Sequence, residues 1–95
     1  MYGTIARFEA KPGTERQLLD ELTVKIPGLV TIYVYQMDAN PNTYYATVMF
    51  ESKAAYRANA NSPEQHTRYT AMLKLLAGEP EWHDGEIVQE VAFGL

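Results

Sequence analysis

The residue best placed to do chemistry is His66, which lies at the edge of the apolar face of a predicted helix. Residues 62–78 begin with the capping signal S-P-E-Q and end at Gly78. Tyr69 follows His66 by three residues, so it lies one turn further on the same face. An imidazole titrates near neutrality and can accept a proton from a phenol or an enol. The alternative interpretation is a histidine that hydrogen-bonds the helix start or a nearby loop.

The same helix carries a second candidate, Tyr69, whose ring belongs to a predicted buried face. The i, i+3, i+4 and i+7 spacing of such a face is met by Tyr69, Met72, Leu73 and Leu76. A buried tyrosine usually packs its ring and finds a hydrogen-bond partner for its hydroxyl, so core packing is the simpler interpretation. Orientation of a bound aromatic ring is the functional alternative.

Trp82 and His83 are adjacent in a predicted final strand, so their side chains point to opposite faces of the sheet. Only one of them can line a given pocket. We interpret Trp82 as a packing anchor, a dimer contact or a wall of a ligand pocket. His83, between Glu81 and Asp84, is interpreted as a solvent-exposed or interface residue.

Arg7 lies in the middle of the predicted first strand, between Ile5 and Phe8. A buried charge without a partner is strongly destabilising, so Arg7 must meet an acid, water or an anionic ligand. We expect a salt bridge with Glu86 or Glu90 of the last strand, which is predicted to neighbour the first. Recognition of an anionic ligand is the alternative.

The elements that position these residues follow in the order β-α-β-β-α-β. Four segments have the alternation or the β-branched content of strands: residues 2–10, 29–37, 43–51 and 81–93. Thr14 with Gln17 is predicted to form a capping box at the start of a first helix, and Ser52 to cap a brief helix that precedes the helix of His66. The order predicts an α+β, ferredoxin-like plait with a four-stranded antiparallel sheet, helices on one face and a split second helix.

The second and third strands in the chain are rich in apolar and aromatic residues on both faces, whereas a lone plait covers only one face of its sheet. An uncovered apolar face of the order of several hundred Å² implies association. We therefore predict a homodimer that packs sheet against sheet about a two-fold axis. The tyrosines of these strands are assigned to sheet packing, the dimer contact or a pocket floor. The pattern does not tell which face of the sheet each one occupies: Tyr33, Tyr35, Tyr44 and Tyr45.

Composition limits the function classes further. The 95 residues, with a formal net charge of −4, are expected to make one domain over residues 1–95, and they show no basic patch for nucleic acid or an anionic membrane. Neither a membrane span nor a signal segment is indicated by the hydropathy pattern. The absence of cysteine excludes thiolate chemistry and fits a cytoplasmic protein. Two histidines without shared carboxylate spacing argue against a metal site.

Three stretches carry a resemblance to a known family: K-P-G after the first strand, F-E-S leading into AAYRANANSPEQHTRYTAM, and EPEWHDGEIVQEV near the end. Over nearly the whole chain, the sequence resembles the antibiotic biosynthesis monooxygenase-like domains of the dimeric α+β barrel superfamily. The resemblance implies two plaits whose sheets close into one barrel. It also implies a small-molecule pocket in each subunit, between the sheet and the helices.

One branch of this family oxygenates phenolic or quinol-type aromatics without metal or flavin, and another binds and degrades heme. The resemblance implies a monooxygenase-like protein without a bound cofactor, acting on a small aromatic or polyketide-like molecule. In such a protein we expect His66 to act as the base or as an orienting group, Tyr69 and Trp82 to be pocket walls, and Arg7 to be an anion partner. A non-catalytic small-molecule-binding or stress-related dimer is the alternative. Heme chemistry is less favoured, because heme-degrading relatives use an Asn of the first strand, absent here, and often a Trp where this chain has Phe50.

Overall fold

The computed structural model describes residues 1–94, which form an α+β plait of four strands and three helices in the predicted order. The strands are β1 (Tyr2–Glu9), β2 (Leu29–Gln36), β3 (Thr43–Phe50) and β4 (Glu81–Glu86). The helices are α1 (Glu15–Glu21), α2 (Lys53–Ala60) and α3 (Pro63–Leu73). None of the helices in this part of the chain is long and apolar enough to cross a membrane.

The sheet is antiparallel throughout, with the strand order β2-β3-β1-β4 expected of a ferredoxin-like plait. β1 lies between β3 and β4, and its Ala6 is opposite both Ala46 and Trp82. Successive side chains of a strand point to opposite faces, so Thr4, Ala6 and Phe8 share the helix-facing side and are buried. The predicted α+β plait with a four-stranded antiparallel sheet is confirmed.

The last strand is shorter than predicted, because it ends at Glu86 and not near Phe93. Glu86 is opposite Tyr2, and the Ile87 amide donates a hydrogen bond to the Met1 carbonyl at 2.9 Å. Beyond that point no described residue pairs with β1. A strand needs backbone partners on its neighbour, so the residues that follow do not extend the sheet.

α2 and α3 begin after the two serines that the sequence predicts as caps. Ser52 Oγ accepts a hydrogen bond from the Ala55 amide, and Ser62 Oγ accepts one from the Gln65 amide, each at 3.1 Å. Such caps satisfy amides of the first helical turn that have no carbonyl partner. The predicted split is therefore confirmed: α2 ends at Ala60, and Ser62 begins the next helix at once.

The predicted capping role of Thr14 is wrong. Its hydroxyl lies 2.7 Å from the Lys11 carbonyl and 2.9 Å from the Leu75 carbonyl, two acceptors for its one proton. The hydroxyl is thus turned away from the amides of α1. The contact with Leu75 joins the start of α1 to the segment after α3, and a local sequence motif cannot show such a contact.

α3 is also shorter than predicted and ends at Leu73 instead of continuing for another turn. Leu76 leaves the helix and forms a β-bridge with Ala10, just after β1. Met72 and Leu76 are buried as predicted, but Leu73 is 36% exposed. The predicted buried face is therefore wrong at Leu73. Leu76 does reach the core, but from the bridge and not from a further helical turn.

The two faces of the sheet differ in burial, and this separates the tyrosines of β2 and β3. Tyr44 is buried in the core under the helices, with Phe8 and Leu18. The opposite side, called the open face below, carries exposed apolar and aromatic side chains: Ile5, Tyr33, Tyr35 and Tyr45. The open face is therefore the surface that the predicted dimer would cover.

Gly28 provides a test of the packing between the chain before β2 and α2. It has a φ of +80°, and a Cβ there would lie 2.7 Å from the Ala55 Cβ. Gly13 is the control: its φ is +87°, but a Cβ there would meet no described atom within 4 Å apart from its own chain neighbours. The left-handed conformation should cost about 1–2 kcal/mol in either alanine variant. Overlap should add about 1–3 kcal/mol in Gly28→Ala only. Urea unfolding measures both variants, and equal midpoints would contradict the packing argument.

Candidate functional site

A cavity of about 440 Å³ lies between the helix-facing side of the sheet and the helices. Ligand-binding cavities commonly have volumes of about 300–1,000 Å³ and mostly apolar walls. The walls here are mainly apolar and aromatic, and include Phe8, Ile26, Ile32, Val48, Phe50 and Met72. Within residues 1–94, no cluster of three or more histidine or acidic side chains is placed to hold a metal ion. The cavity has the size and the lining for a small organic molecule.

Three of the four predicted site residues meet at this cavity. Tyr69 and Trp82 both line it, with ring centroids 6.2 Å apart, and Trp82 packs edge-on against Phe8 at 5.6 Å. His66 lines the same cavity from α3 and is exposed to solvent, which places it at the mouth. The start of α3 is capped by Ser62, so the imidazole is not needed for that purpose.

Arg7 lies on the open face and is not among the residues that line the cavity. Its guanidinium is 3.6 Å from the Glu81 carboxylate, which is also 4.0 Å from His83 Nε2. The predicted partner, Glu86 or Glu90, is wrong, because the register places Glu81 directly opposite Arg7. The cavity gives no support to the prediction that Arg7 contacts a ligand.

One part of the cavity wall is polar and was not predicted from the sequence. Tyr56 of α2 donates a hydrogen bond to Asp84 Oδ1 of β4 at 2.7 Å, and Asp84 is directly opposite Thr4 of β1. All three residues line the cavity. One signal was available: Asp84 follows Trp82 by two residues, so both side chains point to the same face. Tyr56 gave no signal, because its position depends on how α2 packs on the sheet.

Burial and the neighbouring carboxylate control the ionisation of Tyr56. Burial, followed by the hydrogen bond to Asp84 and its charge, raises the pKa of the phenol to about 12, and the Thr4 hydroxyl beside it offsets part of this rise. No group in residues 1–94 lies in hydrogen-bonding geometry to Thr4 Oγ1, which is itself buried. At neutral pH the phenol is therefore protonated and acts as the donor to Asp84.

A polar network ties α2 to α3 beside the cavity. Arg68 donates to Asn59 Oδ1 at 3.0 Å and to Gln65 Oε1 at 3.1 Å, and Asn59 Nδ2 donates to the same Gln65 oxygen at 3.2 Å. The sequence predicts that Gln65 caps the start of the helix together with Ser62. The Gln65 side chain instead takes part in this network. The network holds the first turns of α3 against α2, and these turns carry His66.

The fold and the cavity define a class of protein: a ferredoxin-like plait with a cavity between its sheet and its helices. The family model of the antibiotic biosynthesis monooxygenases matches residues 1–70. The chain therefore belongs to this family. The matched segment includes Tyr56, His66 and Tyr69 but ends before β4, which carries Trp82 and Asp84.

Solved structures share the fold over almost the entire chain. A protein from Chloroflexus aurantiacus J-10-fl assigned to the antibiotic biosynthesis monooxygenases is 24% identical, with 98% of both chains covered and a TM-score of 0.78. A mutant of SnoaB, a cofactor-independent oxygenase from Streptomyces nogalater, is 17% identical, with 95% of both chains covered and a TM-score of 0.80. At these identities the likeness shows the fold alone. No curated protein matches the chain.

The Tyr56–Asp84 hydrogen bond predicts a pH-dependent stability in the alkaline range. The folded pKa of about 12 lies above the ordinary value of 10.0, so the stabilisation from Tyr56 is complete below pH 10.0 and is lost as the pH rises through about 12. Asp84→Asn should bring the Tyr56 pKa closer to the ordinary value, since it removes the charge but not the burial. The tyrosinate absorbance of each protein, minus that of its Tyr56→Phe counterpart, measures this pKa.

The control for this measurement is Glu86→Gln, which removes a carboxylate from the same face of β4. Glu86 is opposite Tyr2 and not Thr4, so this variant should leave the Tyr56 pKa nearly unchanged. Equal shifts in the two variants would show that general charge, and not the specific hydrogen bond, controls the phenol.

Proposed function

We propose that this protein is a cofactor-independent monooxygenase that binds a small aromatic or polyketide-like molecule in the cavity between sheet and helices. The observation that carries the proposal is the cavity itself, whose apolar and aromatic walls lead to a mouth occupied by His66. Membership of the antibiotic biosynthesis monooxygenase family supports oxygenase chemistry. SnoaB, which shares the fold, is a cofactor-independent oxygenase, and the proposal extends that description to this chain.

The proposed chemistry needs a base and an oxidisable ring. His66 takes a proton from a phenol or an enol of the bound substrate. The resulting anion is electron-rich and transfers electrons to O₂. When a ring CH₂ becomes C=O, one oxygen atom enters the product and the other leaves as water. The substrate supplies all the electrons that O₂ accepts, so the reaction balances without a flavin or a metal.

Tyr69 and Trp82 are proposed to hold the substrate ring. Trp82 is 40% exposed and packs edge-on against Phe8, which orients the indole at the cavity wall. Tyr69 lies one helical turn after His66, and residues at this spacing are neighbours on a helix surface. A ring in contact with Tyr69 is thus held close to the imidazole that takes its proton.

His66→Ala tests the role of the imidazole. Loss of a general base typically lowers a rate by about 10²–10⁴-fold, so oxygen uptake with a panel of phenols, hydroquinones and anthrones should fall at least about 100-fold. The fold should be unaffected, because His66 is exposed. An oxygen electrode measures uptake, and mass spectrometry of products formed under ¹⁸O₂ shows whether one labelled atom enters each product.

His83→Ala is the matched control, since His83 lies on the open face and should leave the rate unchanged. Equal rates in wild type and His66→Ala would exclude His66 as the base. A panel without any oxygen uptake would count against the oxygenase proposal. A saturable Soret shift with hemin that is lost in His66→Ala would instead identify a heme-binding protein.

Native mass spectrometry of the protein purified from its own host separates an enzyme from a binding protein. A retained aromatic molecule that the protein oxidises under O₂ supports the oxygenase. A retained molecule that stays unchanged under O₂ would identify the non-catalytic small-molecule-binding dimer, which uses the same cavity. The retained mass also gives the ligand class directly.

We further propose that the protein is a homodimer joined through its open faces. Tyr33 is 58% exposed, Tyr35 55% and Ile5 52%, so a monomer leaves a large apolar patch in water. A two-fold axis covers this patch with the same patch of a second copy. The cavity lies on the other side of the sheet and stays accessible in such a dimer.

Tyr33→Asp should convert the dimer to a monomer, because it places an unpaired charge in the covered face. Size-exclusion chromatography with light scattering at micromolar concentration measures the mass. Ala54→Asp adds the same charge on the exposed surface of α2 and should leave the dimer intact. A monomeric wild-type protein, or a Tyr33→Asp protein that remains dimeric, would rule out association through this face.

A further inference from the structure

The Thr4 hydroxyl is a buried polar group that lies beside the Tyr56 phenol without hydrogen-bonding geometry to it. Thr4 is 6% exposed, and nothing in the described part of the chain lies in hydrogen-bonding geometry to its Oγ1. Buried polar groups in native proteins are nearly always hydrogen-bonded, so an exception requires a physical explanation. Packing does not explain it, because a valine fills nearly the same space without a hydroxyl.

The Thr4 hydroxyl belongs to a group of oxygens at the cavity wall that have unused hydrogen-bonding capacity. Thr4 and Asp84 are directly opposite each other in the pairing of β1 with β4, and both line the cavity. Tyr56 reaches Asp84 from α2 at 2.7 Å. The Tyr56 proton is used in that bond, which leaves the phenol oxygen and the second carboxylate oxygen as acceptors.

The other polar residues at the cavity wall are satisfied in different ways. Asn59, Gln65 and Arg68 hydrogen-bond to one another. Glu21 and His66 are exposed to solvent and can be hydrated. Asp84 is exposed as well, so what sets the cluster of Thr4, Tyr56 and Asp84 apart is the buried Thr4 donor beside acceptors at the cavity wall.

We propose that Thr4, Tyr56 and Asp84 form a subsite for an uncharged hydroxyl group on an aromatic ligand. A hydroxyl both accepts and donates: its oxygen accepts the Thr4 proton, and its own proton goes to Asp84 or to the Tyr56 oxygen. A methyl group does neither, a keto group cannot donate, and a carboxylate is repelled by Asp84. The subsite rests on the proposed function in placing the substrate in this cavity, and it makes the substrate a hydroxylated ring.

The test compares 1-naphthol with 1-methylnaphthalene, which carries a methyl group in place of the hydroxyl. Isothermal titration calorimetry of the full chain, below the pKa of the naphthol hydroxyl, gives the affinity of each probe. Thr4→Val should weaken 1-naphthol binding about tenfold, the typical contribution of one hydrogen bond, and change 1-methylnaphthalene binding less than about twofold. Thr47→Val is the matched control, because it makes the same substitution on the open face.

Thermal unfolding of Thr4→Val separates a binding role from a structural one. Because the hydroxyl makes no well-formed hydrogen bond in the free chain, its removal should leave the unfolding midpoint nearly unchanged or raise it. A midpoint that falls markedly, with both probes weakened equally, would show that Thr4 only shapes the cavity and would overturn the subsite. Unchanged 1-naphthol affinity in Thr4→Val would also overturn it.

The outcomes distinguish the subsite from the proposed function. If neither probe binds the wild-type chain, the subsite and the ligand-binding role of the cavity are both rejected. If 1-naphthol binds and depends on Thr4, but no phenol consumes oxygen, the subsite stands and the oxygenase chemistry is rejected. If phenols are oxidised by a Thr4→Val protein with unchanged affinity, the oxygenase stands and the subsite is rejected.

Discussion

The pairing of β1 with both β3 and β4 is the constraint on which the rest of the structure depends. Successive side chains of β1 point to opposite faces of the sheet, so Thr4 and Phe8 point toward the helices and Ile5 and Arg7 lie on the open face. The side-chain period of a strand is two, so a slip of one residue would exchange the two sets. An arginine would then enter the core, and the space that Phe8 fills beneath the helices would be left empty. The buried face of β1 thereby fixes which residues of the neighbouring strands reach the cavity.

The helices take their positions from this sheet and from each other. The Tyr56 ring packs against Tyr2 and Phe50, with centroids 5.2 and 5.5 Å away, and this anchors α2 on β1 and β3. α3 is then held against α2 by the hydrogen bonds of Arg68 with Asn59. The break after Ala60 allows the two helices to approach the sheet separately. The site residues of α3 are thus positioned through α2, and not by the sheet alone.

Local chemistry explains what the sequence could predict and what it could not. The strands and the serine caps depend on neighbouring residues, and they lie where the pattern predicts. The ends of α3 and β4 depend on distant backbone partners, at Ala10 and Met1, so the pattern extended both elements too far. At the site, the position of His66 followed from helix face and spacing, whereas Trp82 was a candidate pocket wall only through the family resemblance. The Tyr56–Asp84 contact joins two elements that no local signal connects, so it needed the structure.

β4 is the strand on which the two proposed surfaces meet. It is an edge strand held by β1 alone, and its residues alternate between Trp82 and Asp84 at the cavity and Glu81 and His83 on the open face. Neighbouring residues on one backbone therefore face the cavity and the open face. The salt bridge of Arg7 with Glu81 helps to hold this register from the open side, and the Tyr56–Asp84 bond holds it from the helix side. The position of Trp82 and Asp84 at the cavity thus depends on contacts made on both faces of the sheet.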